Sequence, residues 1–556
     1  MKLVTADQMR ALEQRADKSG NTYARMMERA GKAVADAIIE RYGAGDQRVL
    51  VLVGPGNNGG DGLVCARYLH DAGARVSLYI WKRAENPGDE NWKLCRERNL
   101  ATTRAEDDTD FAALKKMLAE TDIVVDALLG TGVTRPIEGL LKELLETVDK
   151  ETGRPGETPS HLVTLSPCHP SLVTRHAPRV VAVDLPSGLN PDTGALDPAT
   201  LRADLTVTFA FPKIGQLVFP GANAVGELFI ADIGVPAEWA GGDAPDVTTV
   251  HEIAAQLPVR ARDSHKGTYG KAMICAGSAN YVGAAFLAGS AATRAGAGLV
   301  TLAVVRAIYP MIASALHETT FVVLPDDIGA LVPDAVRVLG DHLAGYDALL
   351  IGCGFGRDEK TLGFVRRLLG LGTKAKAQIG FVTKDDGLEE TQGELPRLVI
   401  DADALYALAQ SGDWWTRLTP NRAILTPHPG EMATLTGLSR DAVQADRVNV
   451  ARKFAAQWQQ VVVLKGAHTV VASPDGRVTL LPFATPALAT AGTGDVLAGT
   501  IVAMLAQGVQ VYDAAVVGAY LHGLSGEIAQ REIGDAGVVA GDLLLRLPQA
   551  IRTVKS

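Results

Sequence analysis

GPGNNGGDG, residues 54–62, decides the fold of the first half of the chain. It follows the apolar run RVLVLV (48–53), a stretch of the kind buried on both faces of a parallel sheet. The loop should therefore leave the end of a strand and open a helix, which is where open α/β sheets bind nucleotides. Its spacing is not G-x-G-x-x-G, and it lacks the Lys-Ser/Thr pair that ends a P-loop. Three glycines after Asn58 let the backbone approach a ligand closely, with amides at the helix start free to hold a phosphate. Asn57, Asn58 and Asp61 add oxygen ligands and hydrogen-bonding groups. Taken alone, a structural turn explains such a loop equally well.

Outward from this loop the same unit recurs: strand, glycine turn, helix. ARVSLYIW (74–81), TDIVVDALLG (121–130) and RVVAVDLPSG (179–188) read as strands, with DLTVTFAFP and GELFIADIG extending the sheet. GLVCARYLHDAG and IEGLLKELLETVDK carry helical periodicity between them. Composition changes at PAEWAGGDAPD (236–246), so the boundary is placed there: a first domain over 1–234, a linker over 235–249, a second domain over 250–556. The second half repeats the logic with KAMICAGS, GLVTLAVV, YDALLIGCGFG, RLVIDADAL, RAILTPHPGE and VVVLKGAHTVVA as strands. A long helix is expected over RDAVQADRVNVARKFAAQWQ. The two halves are not repeats of each other, and 151–178 and 372–396 read as insertions or surface loops.

A chain of 556 residues exceeds one ordinary core, and 47% apolar with 21% charged residues describes a globular protein. Net charge −9 leaves no electrostatic footprint for nucleic acid or an anionic membrane. The five cysteines, Cys65, Cys95, Cys168, Cys275 and Cys353, form no C-x-x-C pair, which favours a reduced cytoplasmic setting over a disulfide scaffold. The N-terminus has no apolar signal core and reads as a helix capped by Thr5. The apolar stretch from Val496 to Leu505 is too short to span a bilayer.

Chemistry gathers at the strand ends. Asp126 closes one strand before GTGVTRP (130–136), and Asp184 closes another before Ser187. The carboxyl ends of an open parallel sheet converge on one crevice, which brings Asn58, Asp126, Asp184 and Ser187 near one another. Such an oxygen set suits a hard monovalent or divalent cation; separate helix capping by each acid is the plainer alternative. Near the other end of the chain, TAGTGDVLAG (490–499) opens an apolar helix, so its amides form an anion hole with Asp495 directly behind it.

GPGNNGGDG, DALLGTG and VDLPSGL together resemble the NAD(P)H-hydrate epimerases over about 1–234. That resemblance implies a Rossmann-like three-layer αβα fold and potassium on Asn58, Asp126 and Ser187. It implies that Asn57, Asn58, Gly59, Gly60 and Asp61, with Gly130, Thr131, Gly132, Val133, Thr134, Arg135, Pro136 and Asp184, contact the hydrated nicotinamide nucleotide. Epimerisation at a ring carbon needs a group that accepts and returns a proton, and Asp184 is the candidate. Lys213, in FAFPKIG, is a further candidate for substrate contact, with an ordinary surface lysine as the alternative.

The segments HKGTYGKAMICAGSANYVGAAFLAGSAATRAGAGLV (265–300), LTPHPGEMATLTG (425–437) and VVLKGAHTVV (462–471), with the GTGD turn, resemble the ADP- or ATP-dependent NAD(P)H-hydrate dehydratases over about 250–556. The implied fold is a ribokinase-like αβα domain. Lys465, Gly466, Ala467, His468, Thr469 and Gly494 would bind the adenine nucleotide, and Gly354, His428 and Asp495 would face the hydrate. Asp495 would be the general base, with Mg²⁺ on the donor phosphates and ADP as the donor usual for the bifunctional arrangement. IGCGFG (351–356) departs from the pattern, which carries a proline where Cys353 stands. The expected partners are both hydrated nucleotides (of NADH and NADPH), ADP, and further copies of the chain in a homo-oligomer; no nucleic acid and no membrane.

Two other functions fit the same residues: a ribokinase-like small-molecule kinase fused to a nucleotide-binding module, and a first half that serves only as a binding scaffold. Cys168, His169 and His176 match no zinc spacing. Trp414 and Trp415 read as packing at a helix end, and His428 has no nucleophile beside it in sequence.

Overall fold

A computed structural model describes residues 1–84, 86, 88–132, 135–153, 177–242, 244–371 and 394–556. Within them the chain forms two compact units, Met1–Ala244 and Pro245–Ser556. Cys168, His169 and His176 lie outside the described residues, as do Val133 and Thr134 and most of both insertions.

The first unit is built on seven strands, β1 (Arg48–Val53), β2 (Arg75–Ile80), β3 (Ala101–Arg104), β4 (Ile123–Ala127), β5 (Arg179–Val183), β6 (Leu205–Phe209) and β7 (Glu227–Ala231). They lie in the order β3-β2-β1-β4-β5-β6-β7, and every neighbouring pair is parallel. Alternation along β1 shows why both faces are covered. Val49, Val51 and Val53 enter one apolar cluster with Val34, Ile38 and Leu63 of the helices Tyr23–Tyr42 and Asn57–Asp71. Leu50 and Leu52 enter another with Leu114, Leu118, Leu144 and Leu145 of Ala112–Glu120 and Leu140–Glu151. Strand order reverses between β1 and β4, and that switch point puts the ligand crevice beside the 54–62 loop.

The second unit carries a ten-stranded sheet. Its strands are β8 (Asp246–Val247), β9 (Lys271–Cys275), β10 (Leu299–Val305) and β11 (Thr320–Leu324), then, after a small hairpin of β12 (Asp326–Asp327) and β13 (Ala330–Leu331), β14 (Ala348–Ile351), β15 (Arg397–Ile400), β16 (Ala423–Leu425), β17 (Val461–Leu464), β18 (Val470–Ala472) and β19 (Val478–Leu480). The order is β11-β10-β9-β14-β15-β16-β17-β18-β19-β8, with the switch point between β9 and β14. Pairing is parallel from β11 through β17 and antiparallel on both sides of β18. The helices Val282–Arg294, Thr493–Ala506, Val511–Ile533 and Ala540–Lys555 pack on one another in one layer, and Ala335–Leu343, Glu359–Leu368, Ala402–Ala409 and Pro429–Thr436 form another.

Local chemistry accounts for the element ends and for several departures from the sequence reading. Thr5 caps Ala6–Lys18 in a capping box with Gln8. The long helix expected over 440–459 is two helices, Arg440–Ala445 and Arg447–Trp458. Asp446 leaves helical geometry between them (φ −145°, ψ 57°) and caps the second by accepting from the Asn449 amide. VVVLKGAHTVVA is not continuous: Gly466 (φ 142°) and His468 (φ 49°) turn the chain between β17 and β18. Residues 235–249 are less free than a polar linker, since Val235 and Ala240 are buried in the first unit's core and β8 pairs with β19.

Candidate active sites

In the first unit the glycine loop is shaped by contact. A Cβ on Gly59 would lie 2.0 Å from the Gly54 carbonyl oxygen, so only glycine lets the helix Asn57–Asp71 start this close to the strand end. Asn57 is exposed at its first turn, whereas Asn58 and Asp61 are buried. The Asn58 amide donates to the Leu129 carbonyl at 2.8 Å. Asp126 is fully buried: the Ser187 hydroxyl donates to one carboxylate oxygen at 2.7 Å and the Ser187 amide to the other at 2.8 Å. The Leu129 amide closes the network by donating to Ser187 Oγ at 3.0 Å. Asn58, Asp126 and Ser187 are thus brought together by one short loop, 128–130. Burial raises the Asp126 carboxyl above its usual range, against the hydrogen bonds from Ser187. No Lys, Arg or His of the described residues pairs with it.

Asp184 stands at the end of β5 in the left-handed region (φ 63°), a strained setting typical of functional turns. Its Oδ1 accepts from Lys213 Nζ at 2.5 Å and from Thr208 Oγ1 at 3.0 Å. Gln216 fixes the backbone by donating to the Asp184 carbonyl at 2.8 Å. Lys213 is 1% exposed, so it is no ordinary surface lysine. Asp61 completes the group: burial first, then the charges of Asp184 and Glu13, push its carboxyl well above the ordinary range. Of the loop expected over 130–136, Thr131 and Gly132 form a turn and Arg135 is exposed.

In the second unit the strand ends at the switch point hold a denser cluster. Asp401, at the end of β15, is buried; its Oδ1 accepts from Lys465 Nζ and from Thr426 Oγ1, each at 2.7 Å. Lys465 also lies 3.6 Å from Glu431. Burial alone would push its ammonium down; the charges of Asp401 and Glu431 reverse this and hold it above its ordinary value. A Cβ on Gly494 would lie 3.7 Å from Lys465 Nζ, so the cation sits at the start of the helix Thr493–Ala506 that carries Asp495. Burial, then the charge of Asp401, raises Asp495 to about 6, against Cys353 and Lys465, which lower it. The Cys353 thiol is pushed well above its ordinary value by burial and by the charges of Asp495 and Asp401. Gly354 (φ 64°) admits no side chain, since a Cβ would meet Ala284 Cβ at 2.6 Å.

His428 caps Pro429–Thr436, its Nδ1 accepting from the Gly430 and Glu431 amides at 3.0 and 3.1 Å. The ring borders a cavity of about 230 Å³ lined also by Arg357, Tyr406, Glu431 and Thr434. Glu431 thereby joins the cavity to the Lys465–Asp401–Asp495 cluster. Beyond Lys465, Gly466 accepts from Thr469 Oγ1 at 2.8 Å, and the His468 ring faces the Leu481 carbonyl at 3.1 Å. Trp414 is buried against Trp458, the last residue of its helix, at a ring separation of 5.2 Å. Sequence reasoning missed Asp401 and Glu431. The first was within reach, because an acid ending the strand RLVI repeats the pattern of Asp126 and Asp184. The second shows itself only through its contact with Lys465.

Two α/β units, each with acids gathered at the carboxyl ends of its strands, define a two-site enzyme of nucleotide chemistry. Residues 23–215 match the family described as YjeF-related protein N-terminus, and residues 272–549 match NAD(P)H-hydrate dehydratase. The bifunctional NAD(P)H-hydrate repair enzyme of Moorella thermoacetica is 38% identical, over 100% of this chain and 97% of its own length. That of Escherichia coli is 32% identical over 98% and 93%. The chain belongs to the bifunctional NAD(P)H-hydrate repair enzymes. A solved ADP/ATP-dependent NAD(P)H-hydrate dehydratase of Bacillus subtilis, co-crystallised with ATP/Mg²⁺, is 32% identical and matches 56% of this chain and 99% of its own with a TM-score of 0.45. Among the described residues no helix is long and apolar enough to cross a membrane.

Proposed function

We propose that the first unit interconverts the R and S epimers of hydrated NADH and NADPH, and that the second dehydrates the S epimer at the expense of ADP, each unit folding and acting by itself. The observation that carries the second step is Asp495, an acid raised to about 6 at a helix start and flanked by Lys465 and Asp401. ADP enters as its magnesium complex, its phosphates held by the amides of 492–494 and by Lys465 with the turn 466–469. Asp495 takes the proton of the hydrate's hydroxyl as that oxygen attacks the terminal phosphorus; AMP leaves. The hydroxyl, a poor leaving group, has become a phosphate ester; the C–O bond breaks to release phosphate, the adjacent ring carbon gives up a proton to solvent, and the double bond of the ring is restored. His428 and Gly354 border the hydrate. A single epimer incubated with ADP and magnesium should yield AMP, phosphate and reduced nicotinamide. A stable phosphorylated product would instead support a simple kinase.

A base works ionised, so the dehydration rate should fall tenfold per pH unit below about 6 and level off above it. A pH–rate profile of the single-epimer reaction checks this, and a flat profile through that range contradicts it.

In the first unit Asp184 acts as the proton acceptor and donor, aimed by Lys213, with Asp61 as a neighbouring carboxyl that burial favours in its neutral form. Potassium fits the remaining set. Asp126 is a fully buried carboxylate with no cationic side chain against it among the described residues, held by the Ser187 hydroxyl and the Ser187 and Leu128 amides. The ion would supply the missing charge and fix the loop 128–130. Asp126→Ala should slow epimer interconversion at least tenfold and leave dehydration of the correct epimer unchanged. Equal loss of both activities in paired assays contradicts a site confined to the first unit.

A further inference from the structure

The turn Gly352–Cys353–Gly354 brings a fully buried thiol into the second unit. Cys353 Sγ lies 3.7 Å from Asp401 Oδ2, and the ligand atoms of Cys353, Asp401 and Asp495 all lie within 4.8 Å of one another. A tetrahedral zinc ion, with bonds of about 2.3 Å to sulfur and about 2.1 Å to oxygen, sets such a pair of ligands about 3.6 Å apart. Two of the three donors therefore already stand at ligand spacing, and the third needs only a small approach.

The surroundings favour the same occupant. Asp401 Oδ1 is held by Lys465 and Thr426, which turns Oδ2 toward the thiol and fixes the carboxylate as outer partners fix metal ligands. One thiolate and the carboxylates of Asp401, Asp495 and Glu431 against the single cation Lys465 leave an excess of negative charge for a divalent ion. Sulfur selects a thiophilic ion over magnesium. The turn is tied to the end of β9, because the Cys353 carbonyl accepts from the Gly277 amide at 2.8 Å.

We propose that Cys353, Asp401 and Asp495 form a binding site for a thiophilic divalent cation such as zinc, and that its occupancy stops dehydration by removing Asp495 from the reaction. On binding, the S–H bond is replaced by a sulfur–metal bond and the proton passes to solvent, with no change of oxidation state. The site follows from the donor geometry; the inhibition rests on the role given to Asp495 above.

The intact chain, freed of metals and without nucleotide, is titrated with Co²⁺ as the spectroscopic stand-in for zinc. Expected is one tightly bound ion per chain with a thiolate-to-cobalt charge-transfer band, abolished by zinc and absent in Cys353→Ala. Asp401→Asn should weaken binding by about 10–100-fold, as loss of a supporting or ligating carboxylate does. Cys275→Ala, which removes a buried thiol on the adjoining strand β9, should keep the band and so shows that the loss at Cys353 is specific. A band that survives Cys353→Ala, one lost with Cys275→Ala, or no band up to millimolar cobalt overturns the site. In parallel, zinc should inhibit dehydration by the unaltered chain and leave Cys353→Ala with a larger share of its own activity. A thiolate-bound cobalt with undiminished dehydration would overturn the inhibition, leaving a site at Cys353 that does not withdraw Asp495 from the reaction.

Discussion

Asp495→Asn is expected to lower ADP-dependent dehydration roughly 10²–10⁴-fold, the usual contribution of a general base. The substitution keeps size and hydrogen bonding and removes the proton acceptor. It also removes one of the two carboxylates beside the Cys353 thiol, so the cluster loses charge without losing packing. ADP binding should survive, because the proposed ADP contacts are the amides at the start of the helix Thr493–Ala506 and the segment from Lys465 to Thr469, not the Asp495 side chain. Single-turnover rates with one epimer, beside calorimetric titration of ADP, separate the two effects. A rate within a few-fold of the unaltered chain would remove Asp495 from the base role, and a parallel loss of ADP affinity would make it a binding residue.

Asp184→Asn should have the opposite signature. Dehydration of the S epimer proceeds at the normal rate, while interconversion falls by a similar 10²–10⁴-fold. A mixture of both epimers is then consumed only about halfway, apart from slow spontaneous exchange. The buried ion pair with Lys213 complicates the variant, because an uncompensated buried charge costs about 3–5 kcal/mol. Asp184→Asn combined with Lys213→Met removes that charge. It should recover thermal stability of the first unit and still not interconvert the epimers. Recovery of epimerisation in the double variant would show that Asp184 serves the fold and not the reaction.

The central strands were legible in the sequence and the marginal ones were not. Continuous apolar runs such as RVLVLV and DIVVDA are strands buried on both faces, and they announced themselves. The edge strand β3, ATTR, is half exposed and has no apolar run to find. β11 and β19 lie at or near the margin of their sheet and passed unread, β19 despite the Asp475-Gly476 turn just before it. The break at Asp446 is a capping event inside an unbroken apolar period, so periodicity alone read through it.

In the first crevice, strand-end acids and the order of parallel strands were enough to bring Asn58, Asp126, Asp184 and Ser187 to one end of the sheet. In the second, Lys465 was singled out as an expected adenine-nucleotide contact but not as the partner of Asp401 and Glu431. Those contacts join β15, β17 and the helix Pro429–Thr436, segments far apart in sequence. Lys213 shows the same limit: its burial beside Asp184 depends on a turn 29 residues further along the chain.

The central claim is that one chain holds two consecutive activities that together recover both epimers. It is tested by incubating the intact chain with an equal mixture of the epimers, excess ADP and magnesium, and following the absorbance of the reduced nicotinamide ring. The account predicts complete recovery in a single course much faster than spontaneous exchange, with one AMP and one phosphate formed per ring restored. Recovery that halts at half the hydrate, or ADP consumption with no restored absorbance, would contradict it.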